Sequence, residues 1–205
     1  MKNDKNRHIN NIIIMTLSWL FLLGLSGCGP TKEATLSQNS IVISTDHKVD
    51  TYISEDFDTS VYSDIELMDF VGKEIDSYNA VHPGAVTLND AKLEEGKVKL
   101  SISYSSLQAC NDNMNGILFV GTVGDAIDLG IDMNVSLYKV GAGIRTVGKN
   151  DFPNMRDEKL IIVNGKYTLR VPGKVKYYSQ LMDLLDDNTV QPLQDKGDRY
   201  FVIYE

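Results

Sequence analysis

Cysteine, histidine and tryptophan are scarce in this 205-residue chain, which contains two, three and one of them, respectively. Because Cys28 and Cys110 are the only cysteines, a network of disulfides is excluded and the fold must depend on packing. So few histidines disfavour a zinc site or a Ser–His catalytic pair. Gly-x-Ser-x-Gly, His-Glu-x-x-His and Cys-x-x-Cys motifs are also absent, so the sequence predicts no catalytic residues from them.

Basic residues are in the minority, with 20 Lys and Arg against 28 Asp and Glu. A nucleic-acid partner is disfavoured, because such proteins need clustered Lys and Arg to replace counterions. The same balance disfavours electrostatic adhesion to anionic lipids. If the protein is attached to a membrane, another feature of the chain must hold it there.

A single apolar run stands near the start of the chain. Lys2, Lys5 and Arg7 precede the run at 12–25, and small residues follow it. A positive flank, a short apolar core and small residues are the parts of a secretory signal. A membrane-spanning helix needs roughly 20 apolar residues, so this shorter run favours a cleaved signal over a spanning anchor.

The four residues Leu25–Ser26–Gly27–Cys28 resemble the lipobox of bacterial lipoproteins. The resemblance implies that residues 1–27 are a signal peptide and that Cys28 carries a diacylglycerol. Two acyl chains, such as palmitate, give stable anchoring where one chain would be marginal. The expected location is therefore the extracytoplasmic face of the cell membrane, with a plain secreted or uncleaved form as the alternatives.

Cleavage before Cys28 would leave 178 residues, with 17 Lys and Arg against 27 Asp and Glu and a net charge of −10. The length suits one domain with a real core. The cleavage removes Trp19, and acylation of Cys28 leaves Cys110 without a disulfide partner. We interpret Cys110 as a small core residue, with a nucleophilic thiol as the alternative.

The mature chain is predicted to be α+β, with a mainly antiparallel sheet, one long and two short helices, and a smaller all-β C-terminal lobe. Residues 28–39, polar and without periodicity, read as the lipidated Cys followed by a flexible tether. An α+β domain is expected at 40–149 and a β-rich lobe at 150–205, joined near the Gly-rich segment 141–154.

Alternating apolar residues and turn signals predict hairpins at 40–54, 86–104 and 160–171, the last two with tight turns at Glu95–Gly96 and Asn164–Gly165. Capping spacing predicts helices that begin at Ser63, Ser105 and Thr122. Further strands are predicted in the segments 117–120, 133–139, 174–179 and 199–204, and the first of these, a short apolar run, is expected to be buried. Segment 181–187 fits a helical turn or a strand, and we favour the strand.

Several of these segments resemble uncharacterised surface lipoproteins of Gram-positive anaerobes. The resemblance covers the tether, the Asp–Phe–Asp at 56–58, the acidic helix after Ser63, the Leu–Phe–Val–Gly–Thr at 118–122 and the Tyr–Phe–Val–Ile–Tyr at 200–204. It implies a surface location and a compact domain, and it carries no functional residues over to this chain.

Acidic and glycine-rich segments were the candidates for metal or cofactor sites. The segment 111–122 resembles a calcium loop, but it starts with Asn111 and ends with Thr122 instead of a bidentate Glu. Gly141–Ala142–Gly143 lacks the third glycine of a dinucleotide-binding motif. Acids at 56–58 and 183–187 are typical of turns. We therefore predict neither a metal nor a cofactor.

Two classes of function remain. The first is a non-enzymatic binding or structural module with an unknown protein or small-molecule ligand, which would contact the aromatic faces of Tyr177, Tyr178 and Tyr200. In a strand, Tyr177 and Tyr178 face opposite sides. The alternative is a hydrolase that uses paired carboxylates on an envelope or extracellular substrate.

Overall fold

The computed structural model describes residues 39–57, 63–114, 118–142, 146–193 and 199–205. These residues form an α+β fold with mostly antiparallel sheets, as predicted. The signal segment, Cys28 and nearly all of the tether lie outside these ranges, as do the predicted positions Asp58, Gly116, Ile117 and Gly143. Within the ranges, no helix combines the length and apolar character needed to cross a membrane.

The described residues contain thirteen strands. In chain order they are β1 Ser40–Ile43, β2 Val49–Asp56, β3 Val86–Glu94, β4 Lys97–Tyr104, β5 Leu118–Thr122, β6 Leu137–Lys139, β7 Thr146–Val147, β8 Lys159–Asn164, β9 Thr168–Arg170, β10 Val175–Ser179, β11 Met182–Asp186, β12 Thr189–Pro192 and β13 Arg199–Tyr204. They form a seven-stranded sheet in the order β11-β12-β9-β1-β2-β4-β3 and a six-stranded sheet in the order β5-β8-β13-β10-β6-β7. Only β1 and β9 run parallel among the described pairs.

The part of the chain that the structure describes also contains three α-helices: α1 Asp64–Val81, α2 Leu107–Asn113 and α3 Val123–Asp128. Capping boxes start α1 at Ser63 and α3 at Thr122, since each hydroxyl accepts from the N3 amide and the N3 carboxylate accepts in return. The cap of α2 is Ser106, one residue after the predicted Ser105, whose amide instead bonds to Ala85. A short 3₁₀ helix, Phe152–Asn154, precedes β8.

The six-stranded sheet is covered on both faces. One face packs with the seven-stranded sheet in a core that includes Ile41, Val49, Ile161 and Val202. The opposite face packs beneath α3 and the 3₁₀ helix in a second cluster, whose members include Phe152. Side chains alternate between these clusters along β8 and β13, as the period of a strand requires. The six-stranded sheet therefore lies between two apolar layers.

Two of the three predicted hairpins are confirmed. β1 with β2 and β3 with β4 are antiparallel neighbours in sequence order, and β11 with β12 form a further hairpin that was not predicted. Glu95 and Gly96 both have positive φ, which is the geometry of a tight type I′ turn. The strand interpretation of 181–187 is also confirmed by β11.

The predicted hairpin at 160–171 is wrong. β8 pairs with β5 and β13, whereas β9 pairs with β1 and β12 in the other sheet. Of the two turn residues only Gly165 has a positive φ, so the Asn164–Gly165 segment does not form a type I′ turn. It carries the chain from one sheet to the other.

Two strand predictions need smaller corrections. In the segment 133–139 only β6 is a strand, because the Asp132 carboxylate accepts a hydrogen bond from the Asn134 amide and turns the backbone. The run that contains Phe119 and Val120 was expected to be buried, but β5 is the edge strand of its sheet and these two side chains are half-buried.

Strands from 150–205 enter both sheets. β9, β11 and β12 extend the first sheet, and β8, β10 and β13 form the middle of the second. Residues 36–205 make up one compact unit. The boundary predicted near residue 150 therefore separates strands that are hydrogen-bonded neighbours, such as β5 and β8. Each sheet contains strands from both sides of it.

Candidate ligand-binding cleft

A cleft of about 290 Å³ opens beside the 3₁₀ helix, over the second apolar cluster. Its lining residues come from four segments: the end of α3, the segment that follows it, the turn that carries Lys149, and the start of the 3₁₀ helix. They are Ile127, Gly130, Ile131, Asp132, Met133, Lys149, Phe152 and Pro153. Met133 and Phe152 are buried, so they form the floor, and the charged Asp132 and Lys149 are exposed. The cleft therefore combines an apolar floor with charged groups near solvent.

Local hydrogen bonds shape one wall of the cleft. Gly130 ends the α3 turn with a φ of 70°, and its amide bonds to the Ile127 carbonyl. The Asp132 side chain then accepts from the Asn134 amide over 2.9 Å. These turns keep the chain beside α3 instead of extending β6 backwards, and they leave Asp132 at the surface.

The opposite wall is built by the turn at 148–151 and the 3₁₀ helix. Asp151 accepts a hydrogen bond from the Gly148 amide over 2.8 Å, which closes the turn that carries Lys149. Pro153 stands in the first turn of the 3₁₀ helix, where a missing N–H leaves no bond unmade. This wall is therefore fixed by a hydrogen bond that spans Lys149 and by the proline that follows it.

The two walls are joined by the segment 156–158. The amides of Val123 and Gly124, at the start of α3, donate to the carbonyls of Glu158 and Arg156. The Arg156 guanidinium also lies 2.6 Å from the Asp128 carboxylate at the end of α3. A Cβ on Gly124 would lie only 3.1 Å from the Arg156 carbonyl oxygen, so glycine permits this approach. These contacts hold the two walls of the cleft in place.

A second concavity, of about 400 Å³, lies near the start of α1 and is lined by Phe57, Glu66, Leu67 and Phe70. In the sequence, Phe57 is followed by residues 58–62, which are outside the described ranges. Phe70 is 61% exposed and belongs to neither core cluster. We assign no ligand to this concavity.

The three tyrosines predicted to bind a ligand do not form one site. Tyr200 is 1% exposed and belongs to the core between the sheets, so the expectation that its ring meets a ligand is corrected. Tyr178 packs toward that same core and Tyr177 toward the second cluster, on opposite faces of β10. The Tyr178 ring meets Tyr138 edge-on at 6.0 Å, while Lys139 lies 5.8 Å from the Tyr177 ring.

Cys110 is a core residue. It is fully buried in α2, and its Sγ lies 3.5 Å from the Met114 Sδ. Burial raises the pKa of the Cys110 thiol to about 12, which is the opposite of what a nucleophile needs. His82, a potential base, instead stacks on the Tyr78 ring at 4.4 Å.

Among the described residues, no group of three or more His, Cys, Asp or Glu side chains could hold a metal ion. The calcium-like segment falls partly on α2 and partly on residues 115–117, outside the described ranges. Asp186 and the adjoining Asp187–Asn188 form the turn between β11 and β12, where the Asp186 carboxylate accepts from the Asn188 amide. This is the local role that turn acids usually have.

The sequence did not point to the cleft. Its residues come from four short segments that are separated in the sequence. The alternation of apolar residues near them predicts a strand at 133–139 and gives no indication of a cleft. No family model matches the chain, and no curated protein or solved structure matches it either. The chemistry of the site is therefore argued from its own residues.

Proposed function

We propose that the protein is a lipid-anchored binding module on the extracytoplasmic face of the cell membrane, and that the cleft is its ligand site. The observation that carries the location is the lipobox-like Leu25–Ser26–Gly27–Cys28 directly after a short apolar run. The acidic balance of the chain fits attachment by lipid instead of by surface charge.

The arrangement of the two cysteines supports a single acylation site. Cys110 is fully buried, so its thiol is not accessible to a modifying enzyme in the folded chain. Cys28 precedes the compact unit, which starts at Leu36. Cys28 is therefore the residue that we propose as the acylation site.

A binding role is favoured over hydrolysis by the positions of the carboxylates. In the part of the chain that the structure describes, the buried polar residues are serines and threonines, and none is an Asp or a Glu. A carboxylate-pair hydrolase needs an acid whose pKa is raised by its surroundings. The pKa values of Asp46, Glu66, Glu94 and Asp125 shift instead downward, through hydrogen bonds.

Metabolic labelling with an alkyne palmitate in a bacterial host tests the anchor. The full chain should incorporate the label and fractionate with membranes. Cys28→Ala should lose the label, while Cys110→Ala is the matched control and should keep it. If Cys28→Ala is still labelled, or is processed and retained on membranes like the parent chain, the proposed anchor is wrong.

A further inference from the structure

The cleft is suited to one small ligand by its size and its lining. A volume of about 290 Å³ is near the lower end of the range of small-molecule sites, which starts at roughly 300 Å³. Ile127, Ile131, Met133 and Phe152 give it an apolar interior. A sugar ring would need an open aromatic face to stack on, and Phe152 is only 1% exposed. An aliphatic group fits this interior better.

The polar groups of the cleft have opposite charges and do not neutralise each other. Among the described residues, Lys149 makes no ion pair, and Asp132 makes none either within 4.0 Å. The Asp132 Oδ1 accepts from the Asn134 amide, and its Oδ2 accepts no hydrogen bond in that part of the chain. One anionic and one cationic group therefore remain to meet a ligand.

We infer that the cleft binds a free amino acid with an apolar side chain, in its zwitterionic form. The ligand ammonium pairs with Asp132, the ligand carboxylate pairs with Lys149, and the side chain lies against the half-buried Ile127 and Ile131. This inference rests on the proposed function and specifies its ligand. A fatty acid would bring its carboxylate near Asp132, and an apolar amine would bring its cation near Lys149, so each would have one unfavourable contact.

Equilibrium dialysis with radiolabelled L-leucine tests the inference on the full chain in detergent micelles. Asp132→Asn keeps an oxygen for the Asn134 amide, and Lys149→Met keeps an apolar stem, so neither change removes a packing contact. Each should weaken leucine binding about tenfold, because each removes one charge-assisted hydrogen bond. Asp90→Asn and Lys92→Met, an exposed pair on β3, are the matched controls and should bind like the parent chain.

Competing ligands test which class of small molecule the cleft binds. N-acetyl-L-leucine lacks the cation and L-leucinamide lacks the carboxylate, so each should compete about tenfold more weakly than L-leucine. L-alanine should also compete poorly, because it fills little of the apolar interior. If N-acetyl-L-leucine and L-leucinamide compete as well as L-leucine, or if binding is unchanged in Asp132→Asn and Lys149→Met, the assignment of a zwitterion is overturned. Equal competition by L-alanine would overturn the assignment of an apolar side chain.

The outcomes also distinguish this inference from the proposed function. If N-acetyl-L-leucine binds the parent chain as tightly as L-leucine does, and Ile131→Trp, which fills the cleft, abolishes the binding of both, the cleft is a ligand site but its class is wrong. If the chain binds no apolar amino acid, the class is wrong and the anchor still stands on palmitate labelling. Loss of palmitate labelling with intact leucine binding would overturn only the anchor.

Discussion

Cys110 and Tyr104 show how burial sets the chemistry of single residues in this chain. Burial raises the pKa of the Cys110 thiol from its ordinary value of 9.0 to about 12, and it raises the pKa of Tyr104 from 10.0 to about 12. Both side chains belong to the core between the two sheets. In the folded chain they stay neutral at a pH where an unfolded chain would lose both protons.

Stability should therefore fall at alkaline pH. Between about pH 9 and pH 12 the unfolded thiol is ionised and the folded one is not, so raising the pH favours unfolding by about 1.4 kcal/mol per pH unit for each such group. Urea unfolding of the parent chain and of Cys110→Ala at pH 8 to 11 measures the two slopes. The variant should lose stability less steeply, and equal slopes would contradict the role of the thiol.

Asn164 and Gly165 differ in what their backbones require. Gly165 has a φ of 91°, and a Cβ there would lie 3.1 Å from the Tyr167 ring, whereas Asn164 is not among the positive-φ residues. Gly165→Ala should cost about 1–2 kcal/mol in urea unfolding, while Asn164→Ala should change stability by less than about 0.5 kcal/mol. An equal loss in both variants would instead indicate the type I′ turn that the sequence suggests.

At the scale of elements, α1 is held mainly near its C-terminal end. The Tyr78 hydroxyl donates to Asp112 of α2 over 2.7 Å, and the Asn79 side chain makes two hydrogen bonds to the Val86 backbone. The first turn is much less covered, and Ile65 is 77% exposed. None of the side chains of this helix, all of which are described, is buried. Its stability therefore depends strongly on caps and intrinsic propensity.

This dependence can be tested at two glycines of the same segment. A Cβ on Gly72, inside α1, or on Gly84, just after it, would meet nothing within 4 Å, but only Gly84 has a positive φ, of 70°. Gly72→Ala should stabilise the protein by about 0.5–1 kcal/mol, and Gly84→Ala should destabilise it by about 1 kcal/mol. The urea midpoint measures both changes, and a loss in Gly72→Ala would mean that α1 packs more tightly than described.

The patterns that predicted elements well are those whose cause is local. Ser63 with Glu66, and Thr122 with Asp125, satisfy the first amides of their helices within four residues, so the spacing alone predicts the start. The failure at Asn164–Gly165 has a non-local cause. β9 pairs with β1 and β12, and the residues of the turn do not determine those partners. Tertiary pairing overrode the turn signal.

At the scale of the whole molecule, the same reasoning explains why the cleft was not predicted. Ile127, Asp132, Lys149 and Phe152 meet because the amides of Val123 and Gly124 join α3 to the segment that follows the 3₁₀ helix. These positions are not related by the periodicity of a strand, 2 residues, or of a helix, 3.6 residues. The strong sequence signal, the lipobox-like segment, concerns location instead and contributes nothing to the cleft.

The interleaving of strands leads to a prediction about the whole chain. A chain that ends at Lys149 retains β5, whose described partner is only β8, and β1, which loses β9. Neither this chain nor 150–205 alone should show a cooperative thermal transition by circular dichroism, because each lacks strands from both sheets. Co-expression of the two fragments should restore one transition, since the missing neighbours are then supplied. A cooperative transition in isolated 150–205, with dispersed amide resonances, would instead establish it as a separate lobe.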